Sequence, residues 1–169
     1  MPEKLESTDT SVTMLDLANQ TGREALVQYI KHTEDLYKSM GVTVDTFRYY
    51  PDTKTVKIEY TPGRAQEGHA GIVHGGILSF MIDASAGALS MAVGGVDDIA
   101  LTKGTTTKFV QSAKSGTPIS IISSTRDTDS KNLIVQTEVV QGGVVLTQSD
   151  SEFKIVNKKV FERISKMNK

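Results

Sequence analysis

A glycine-rich turn and one acidic residue in an apolar segment are the features of this sequence best suited to chemistry. The turn is His74-Gly75-Gly76, and Asp83 follows it within a run of apolar and small side chains. Burying a carboxylate without a partner costs several kcal/mol, so an acid in such a run calls for a functional explanation. Asp83 is therefore the first candidate for a catalytic group. The structural alternative is that Asp83 caps a neighbouring loop or a subunit contact.

The glycine turn leads into a predicted helix whose first amides could bind an anion. The pattern predicts a helix from about Gly75 to Val93 that is apolar on nearly every side, as is typical of a helix enclosed by its own domain. Its first N–H groups, at Gly75 and Gly76, have no intrahelical acceptor, and the helix dipole adds partial positive charge there. We expect these amides to be able to stabilise an oxyanion. Taken alone, the glycine pair is better explained as an ordinary tight turn.

The spacing within this helix predicts an assembly. Eight residues separate Gly75 from Asp83, which is a rise of about 12 Å along a helix axis. If both groups act on one carbonyl, two helices must pair antiparallel about a two-fold axis, so that Gly75 of one subunit meets Asp83 of the other. The sequence thus predicts a homodimer, or a dimer of dimers, with equivalent composite sites.

The rest of the chain predicts an α+β domain. A helix begins at Thr21, where Thr21 and Glu24 form a capping-box pair, and ends at Gly41; a shorter helical segment passes through Met14 and Leu17. Period-two alternation then predicts strands over 42–50, 55–60, 99–110, 118–126, 133–140 and 144–156. A closing helix over 158–167 would use Val160, Phe161 and Ile164 as its contact stripe. We expect an N-terminal tail and helices packed on the domain (1–41), the domain itself (42–157) and a C-terminal helix (158–169).

Composition and charge argue against several classes of function. The 169 residues carry a formal net charge of -1, which offers no broad electrostatic field for nucleic acid or an anionic membrane. The sequence has no cysteine, which excludes disulfides and thiolate chemistry. No uninterrupted apolar run reaches membrane-spanning length, and the N-terminus lacks the apolar core of a signal peptide. We therefore expect a cytoplasmic protein with no membrane span and no nucleic-acid partner.

The central motif carries a family resemblance. A Gly-x-x-His-Gly-Gly turn, formed by Gly71, His74, Gly75 and Gly76, with Asp83 nine residues past the histidine, resembles the hotdog-fold acyl-CoA thioesterases. The most similar branch contains the phenylacetate-pathway thioesterase and the human thioesterase-superfamily members. The resemblance covers roughly residues 42–156. It implies an antiparallel sheet wrapped around one central helix, here with extra N-terminal helices, and cofactor-free hydrolysis of an acyl-CoA to free acid and CoA.

The resemblance also implies roles for individual residues. Asp83 would be the general base or the nucleophile, the Gly75 amide would form the oxyanion hole across a dimer interface, and the Thr102 hydroxyl would hydrogen-bond the acid or its water. His74 is grouped with these catalytic residues, although its expected task is to hold the turn. The residues expected to contact substrate are Gly76, Gly68, His69 and Phe80.

The sequence departs from the family pattern at one position. One branch has an asparagine six residues before the histidine, whereas this chain has Gly68 there, followed by His69 as a candidate substitute. His69 and His74 could suggest a metal pair, but zinc is improbable without a third ligand, so no metal is expected. Any of several basic residues could meet the phosphates of CoA: Lys103, Lys108, Lys114 and Arg126.

Two other functions are also consistent with the sequence. The first is a non-catalytic sensor that binds acyl-CoA. The second is a hotdog enoyl-CoA hydratase or dehydratase, whose chemistry pairs a histidine with an acid across the dimer. His74 lies at a glycine turn, which is an unsuitable place for that base.

Overall fold

A computed structural model describes residues 24–95, 97–129 and 131–167 of the chain. Three helices are present in these ranges: α1 (Glu24–Ser39), α2 (Gly75–Gly94) and α3 (Lys158–Met167). The strands are β1 (Val44–Tyr50), β2 (Thr55–Tyr60), β3 (Glu67–His69), β4 (Ile72–Val73), β5 (Asp98–Phe109), β6 (Ile119–Thr128), β7 (Asn132–Gln141) and β8 (Val144–Asn157). The predicted Thr21 cap and the predicted segment through Met14 and Leu17 lie outside the described residues.

Six strands form one antiparallel sheet in the order β1-β2-β6-β7-β8-β5. Alternate side chains point into the core, as Val56, Ile58 and Tyr60 do along β2. β7 and β8 are joined by a tight hairpin turn at Gly142 and Gly143. Their φ angles of 59° and 80° are positive, as this turn requires, and residues other than glycine rarely adopt them. The predicted α+β architecture and its six long strands are confirmed, with bounds that differ by no more than two residues.

α2 packs against the inner face of this sheet but is not enclosed on all sides. Its buried face includes Leu78, Ile82 and Leu89, whereas Gly76, Ser79 and Asp83 form an exposed strip on the opposite side. The predicted sheet around one central helix is confirmed, but the helix is less completely enclosed than expected, since only Asp83 marks the exposed strip in the sequence and Gly76 and Ser79 are small residues that also suit a core. Among the described helices, α2 alone is long and apolar enough to cross a membrane, and it is largely buried within the fold.

A buried chain of hydroxyl groups fixes how α2 is rotated on the sheet. The hydroxyls of Ser85 and Ser123 lie 2.8 Å apart, and that of Ser123 is 2.8 Å from the hydroxyl of Thr137. Ser85, Ser123 and Thr137 are fully buried, so removing the central Ser123 hydroxyl would leave the other two without these hydrogen bonds, at a cost of about 1–3 kcal/mol for each buried group left unpaired. Ser85 is two residues from Asp83 and lies on roughly the opposite face of α2. The hydrogen bonds of Ser85 to the sheet therefore keep Asp83 directed outward.

α1 covers part of the remaining surface of α2, as its amphipathic pattern predicts. Leu26 is fully buried, and the ring of Tyr37 packs edge-on to Phe80 with centroids 5.4 Å apart. The Tyr29 hydroxyl lies so close to Gly87 that a Cβ there would overlap it. α1 ends before Gly41, whose φ of +66° suits a helix stop. Glycine at position 87 therefore permits the close approach of α1 to α2.

Two segments differ from expectation. Between β2 and α2, where the sequence pattern predicts no regular element, the chain forms a short 3-10 turn over Arg64–Gln66 and the small β3-β4 pair. In α3, the predicted contact stripe is exposed: Val160 by 48%, Phe161 by 37% and Ile164 by 53%. An amphipathic pattern shows that one face of a helix is apolar, but it does not show that the same chain covers that face.

Candidate active site

The start of α2 is shaped by His74, which caps the helix. Its side-chain Nδ1 accepts a hydrogen bond of 2.9 Å from the Gly76 N–H. The backbone N–H of His74 donates to the Gln66 carbonyl at 2.8 Å. The Gly76 amide is thus engaged, contrary to the expectation that it is free. The Gly75 N–H has no acceptor within the described part of the chain. A single amide, that of Gly75, is available at the positive end of the helix dipole.

The turn before α2 depends on Gln66, which sequence reasoning did not identify. Its side chain is buried; Oε1 accepts from the Gly63 N–H at 2.9 Å, and Nε2 donates to the Gly41 carbonyl at 2.7 Å. Gln66 therefore ties the end of α1 to the segment that holds His74. A glutamine in a polar loop carries no sequence signal for such a role, because burial depends on the assembled fold.

Gly68 packs closely against His74. A Cβ at Gly68 would lie 2.9 Å from the His74 Cδ2 and 3.2 Å from the His74 Cα. A larger side chain would displace the histidine that caps α2. His69 follows on β3 and is exposed. Over the described ranges, no third histidine or acidic side chain joins these histidines in a metal-binding group.

Asp83 lies on the exposed strip of α2, next to the edge strand β5. The Thr102 hydroxyl donates a hydrogen bond of 3.4 Å to its Oδ1. Partial removal from water raises the pKa of Asp83 above its ordinary value, and the hydrogen bond from Thr102 opposes that rise. The structure thus brings Asp83 and Thr102 together and gives the acid the raised pKa that is suited to a general base.

Two tyrosines of α1 stand beside Asp83, and they too were missed by sequence reasoning. Burial raises the pKa of Tyr37 to about 12, and the negative charge of Asp83 contributes to the rise. Burial, with smaller contributions from Tyr37 and Asp83, also raises the pKa of Tyr29. The Tyr29 hydroxyl donates to the carbonyl of Ala84 at 3.4 Å. Tyr29 and Tyr37 therefore lie near enough to Asp83 for its charge to act on them, and Tyr37 also packs on Phe80.

The free Gly75 amide opens onto a small cavity of about 260 Å³. A Cβ at Gly75 would lie 3.6 Å from the Phe109 ring, an ordinary contact. The cavity is lined by Ile72, Val73, Gly75, Leu78, Phe109, Val110, Gln111, Ser112 and Ala113. Of the candidate phosphate-binding cations, Lys103 pairs with Glu152 at 3.5 Å and Arg126 pairs with Asp150. A single chain does not bring Gly75 and Asp83 together, because the continuous helix α2 separates them.

The raised pKa of Asp83 predicts a pH-dependent effect on stability. A carboxyl whose pKa is higher in the folded chain destabilises the fold as pH rises from its ordinary value of 3.8 through the raised pKa. We therefore expect Asp83→Asn to increase the free energy of unfolding at neutral pH. The gain should shrink as pH falls through the raised pKa and vanish below the ordinary one. Urea unfolding across this range, at fixed protein concentration, measures it; a variant less stable at neutral pH would contradict the assignment.

Comparisons with known proteins identify the fold. No protein-family model and no curated protein sequence matches the chain. Among solved structures, a thioesterase mutant from Pseudomonas aeruginosa matches with a TM-score of 0.65 at 12% identity, over 78% of this chain and 94% of that chain. The PaaI protein of the E. coli phenylacetic acid degradation operon matches with a TM-score of 0.64 at 13% identity, over 79% and 97%.

A third match was solved with a ligand. A hypothetical thioesterase protein from Streptococcus pneumoniae, with coenzyme A, has a TM-score of 0.58 at 12% identity, over 69% of this chain and 89% of that chain. Identities this low establish the fold and not the activity. The sheet order, the central helix and these matches agree with the architecture that the His-Gly-Gly motif implied. The chain therefore has the fold of these solved structures, which is the hotdog fold.

Proposed function

We propose that the protein is an acyl-CoA thioesterase that acts as a homodimer. The observation that carries the proposal is the combination on one helix of a free Gly75 amide at its positive end and an outward Asp83 whose pKa is raised. A thioester hydrolase needs both: a donor for the developing oxyanion and an acid–base group for water. The fold is also that of solved proteins described as thioesterases, one of them with coenzyme A.

The edge strand β5 offers a way to assemble the composite site. β5 is an edge of the sheet, and Leu101 and Phe109 on it are 37% and 50% exposed. Asp83 is bonded to Thr102 near one end of β5, whereas Gly75 lies against Phe109 at the other. If β5 pairs antiparallel with β5 of a second copy so that Thr102 faces Phe109 of that copy, each Asp83 approaches the other subunit's Gly75. Such pairing also covers an unprotected sheet edge.

The proposed chemistry follows from these positions. The thioester carbonyl accepts a hydrogen bond from Gly75 of one subunit, which stabilises the negative charge that develops on its oxygen. Asp83 of the other subunit takes a proton from the attacking water, and that proton then passes to the departing CoA sulfur. In the alternative route, the carboxylate attacks the carbonyl itself and displaces the CoA thiolate, and water then hydrolyses the resulting anhydride to free acid and Asp83. In both routes Asp83 must be ionised, and Thr102 favours the ionised form.

The competing functions have less support. A hydratase would need His74 as a base, yet Nδ1 of His74 accepts the Gly76 N–H and caps α2. A sensor of acyl-CoA would use the same cavities without turnover. Activity measurements on Asp83 variants distinguish a sensor from an enzyme. The cytoplasmic location stays a prediction from the sequence.

Removing the proposed base should abolish most hydrolysis. We expect Asp83→Asn to lower kcat/KM for an acyl-CoA by about 100- to 10,000-fold, because the amide cannot accept the water proton. The rate of hydrolysis is measured from the appearance of the free CoA thiol. Asp52→Asn, in the exposed turn between β1 and β2, is the matched control and should retain the wild-type rate. Equal activity in the Asp83 and Asp52 variants would end the base assignment.

A proline at position 75 tests the oxyanion donor directly. Gly75 is the first residue of α2, where proline is well tolerated, and His74 has the extended ψ of 132° that a following proline requires. Gly75→Pro removes the N–H that we propose as the donor and adds the proline ring, so kcat should fall by about 100- to 1,000-fold.

Gly75→Ala is the control for added bulk at this position. It keeps the N–H and places its Cβ at an ordinary contact distance from Phe109, so it should retain most activity. Circular dichroism and size-exclusion chromatography should show both variants folded and assembled as the wild type. A folded proline variant with undiminished kcat would contradict the proposed oxyanion hole.

A further inference from the structure

A second and larger cavity of about 550 Å³ lies between α1, β1 and α2. This volume falls in the range of small-molecule sites, about 300–1,000 Å³. Much of its wall is apolar or aromatic, from Ile30 and Tyr37 on α1, Val42, Val44 and Phe47 at β1, and Ala88 on α2. A cavity of this kind favours a hydrocarbon or aryl group.

Four of the five charged side chains that line this cavity are exposed to solvent, and the fifth, Arg48, is half-buried. The four exposed side chains are those of Lys31, Glu34, Lys38 and Asp45. Lys38 and Glu34 form an ion pair of 2.8 Å, so their charges largely compensate each other. Since these charges remain in water, the deeper apolar wall is free to bury a group without charge.

The cavity adjoins the candidate catalytic acid. Tyr29 and Tyr37 belong to its wall, and the same two side chains stand beside Asp83. Tyr29 hydrogen-bonds the carbonyl of Ala84, the residue that follows Asp83, and Tyr37 packs on Phe80, one turn before it. The larger cavity therefore lies next to the segment of α2 that carries Asp83, with Tyr29 and Tyr37 between them.

We propose that this cavity holds the acyl group of the thioester, in the same subunit that supplies Asp83. The inference rests on the proposed function. The smaller cavity at Gly75 of the other subunit then faces the thiol side of the substrate. The acyl group and the thiol side of the substrate thus occupy different cavities, with the reacting carbonyl between them. Because α1 forms the outer wall of the larger cavity, α1 limits the length of the acyl group. The substrate class is a medium-length aliphatic or aryl thioester.

Filling the cavity provides the test. Val44→Phe adds bulk to its wall, and Val144→Phe makes the same change at an exposed position on β8 as the control. kcat/KM is measured for saturated acyl-CoAs from acetyl to long chains. In the wild type, each methylene that enters the cavity should raise kcat/KM up to about four-fold. Val44→Phe should lower kcat/KM for the best wild-type substrate ten-fold or more, and by a larger factor than for acetyl-CoA, while Val144→Phe keeps the wild-type profile.

Phe47→Ala, which enlarges the cavity, is a second variant and should move the optimum to longer chains. An unchanged chain-length profile in folded Val44→Phe and Phe47→Ala would overturn the inference. If the wild type hydrolyses no acyl-CoA, the proposed enzyme fails, and the cavity is tested by calorimetric binding of the same acyl-CoAs. Affinity that rises with chain length in the wild type and in Val144→Phe, but not in Val44→Phe, would support the site. Chain-independent affinity in the wild type would overturn it.

Discussion

The axial rise of a helix is the constraint that governs how α2 can act. Gly75 and Asp83 lie on one unbroken helix, so about 12 Å of axis separates the free amide from the acid. No side-chain rotation closes that gap, because the amide belongs to the backbone. Each group is instead tied to the edge strand β5, through Phe109 at one end and Thr102 at the other. A second copy paired along β5 is the arrangement that would make these two half-sites complete.

Asp83 is held at a cost to stability that its proposed role explains. Its pKa is raised because partial burial removes water from the carboxylate, while a single hydrogen bond from Thr102 compensates in part. A second subunit over the exposed strip would remove more water and favour the neutral form further. A carboxyl poised in this way accepts a proton more readily than an ordinary aspartate. The buried hydroxyl chain from Ser85 to Thr137 keeps α2 rotated so that the acid remains at this surface.

The sequence predicted the elements well and their contacts less well. Strand and helix bounds followed from alternation and from stops such as Gly41, because these are local properties of the chain. The exposed strip of α2 was missed, since Gly76 and Ser79 look the same in a core or at an interface. The cap on Gly76 depends on one histidine rotamer, and the tyrosines beside Asp83 depend on how α1 lies across α2. Such pairings are set by tertiary packing, which periodicity does not encode.

The most direct measurement uses mixed dimers of two inactive variants. Subunits carrying Asp83→Asn are combined with subunits carrying Gly75→Pro, and mixed dimers are verified by native mass spectrometry. One of the two sites in each mixed dimer then unites an intact Gly75 with an intact Asp83. The account predicts about half of the wild-type activity per mixed dimer, since one of two equivalent sites is restored. Verified mixed dimers with no more activity than either parent would contradict a site shared between subunits.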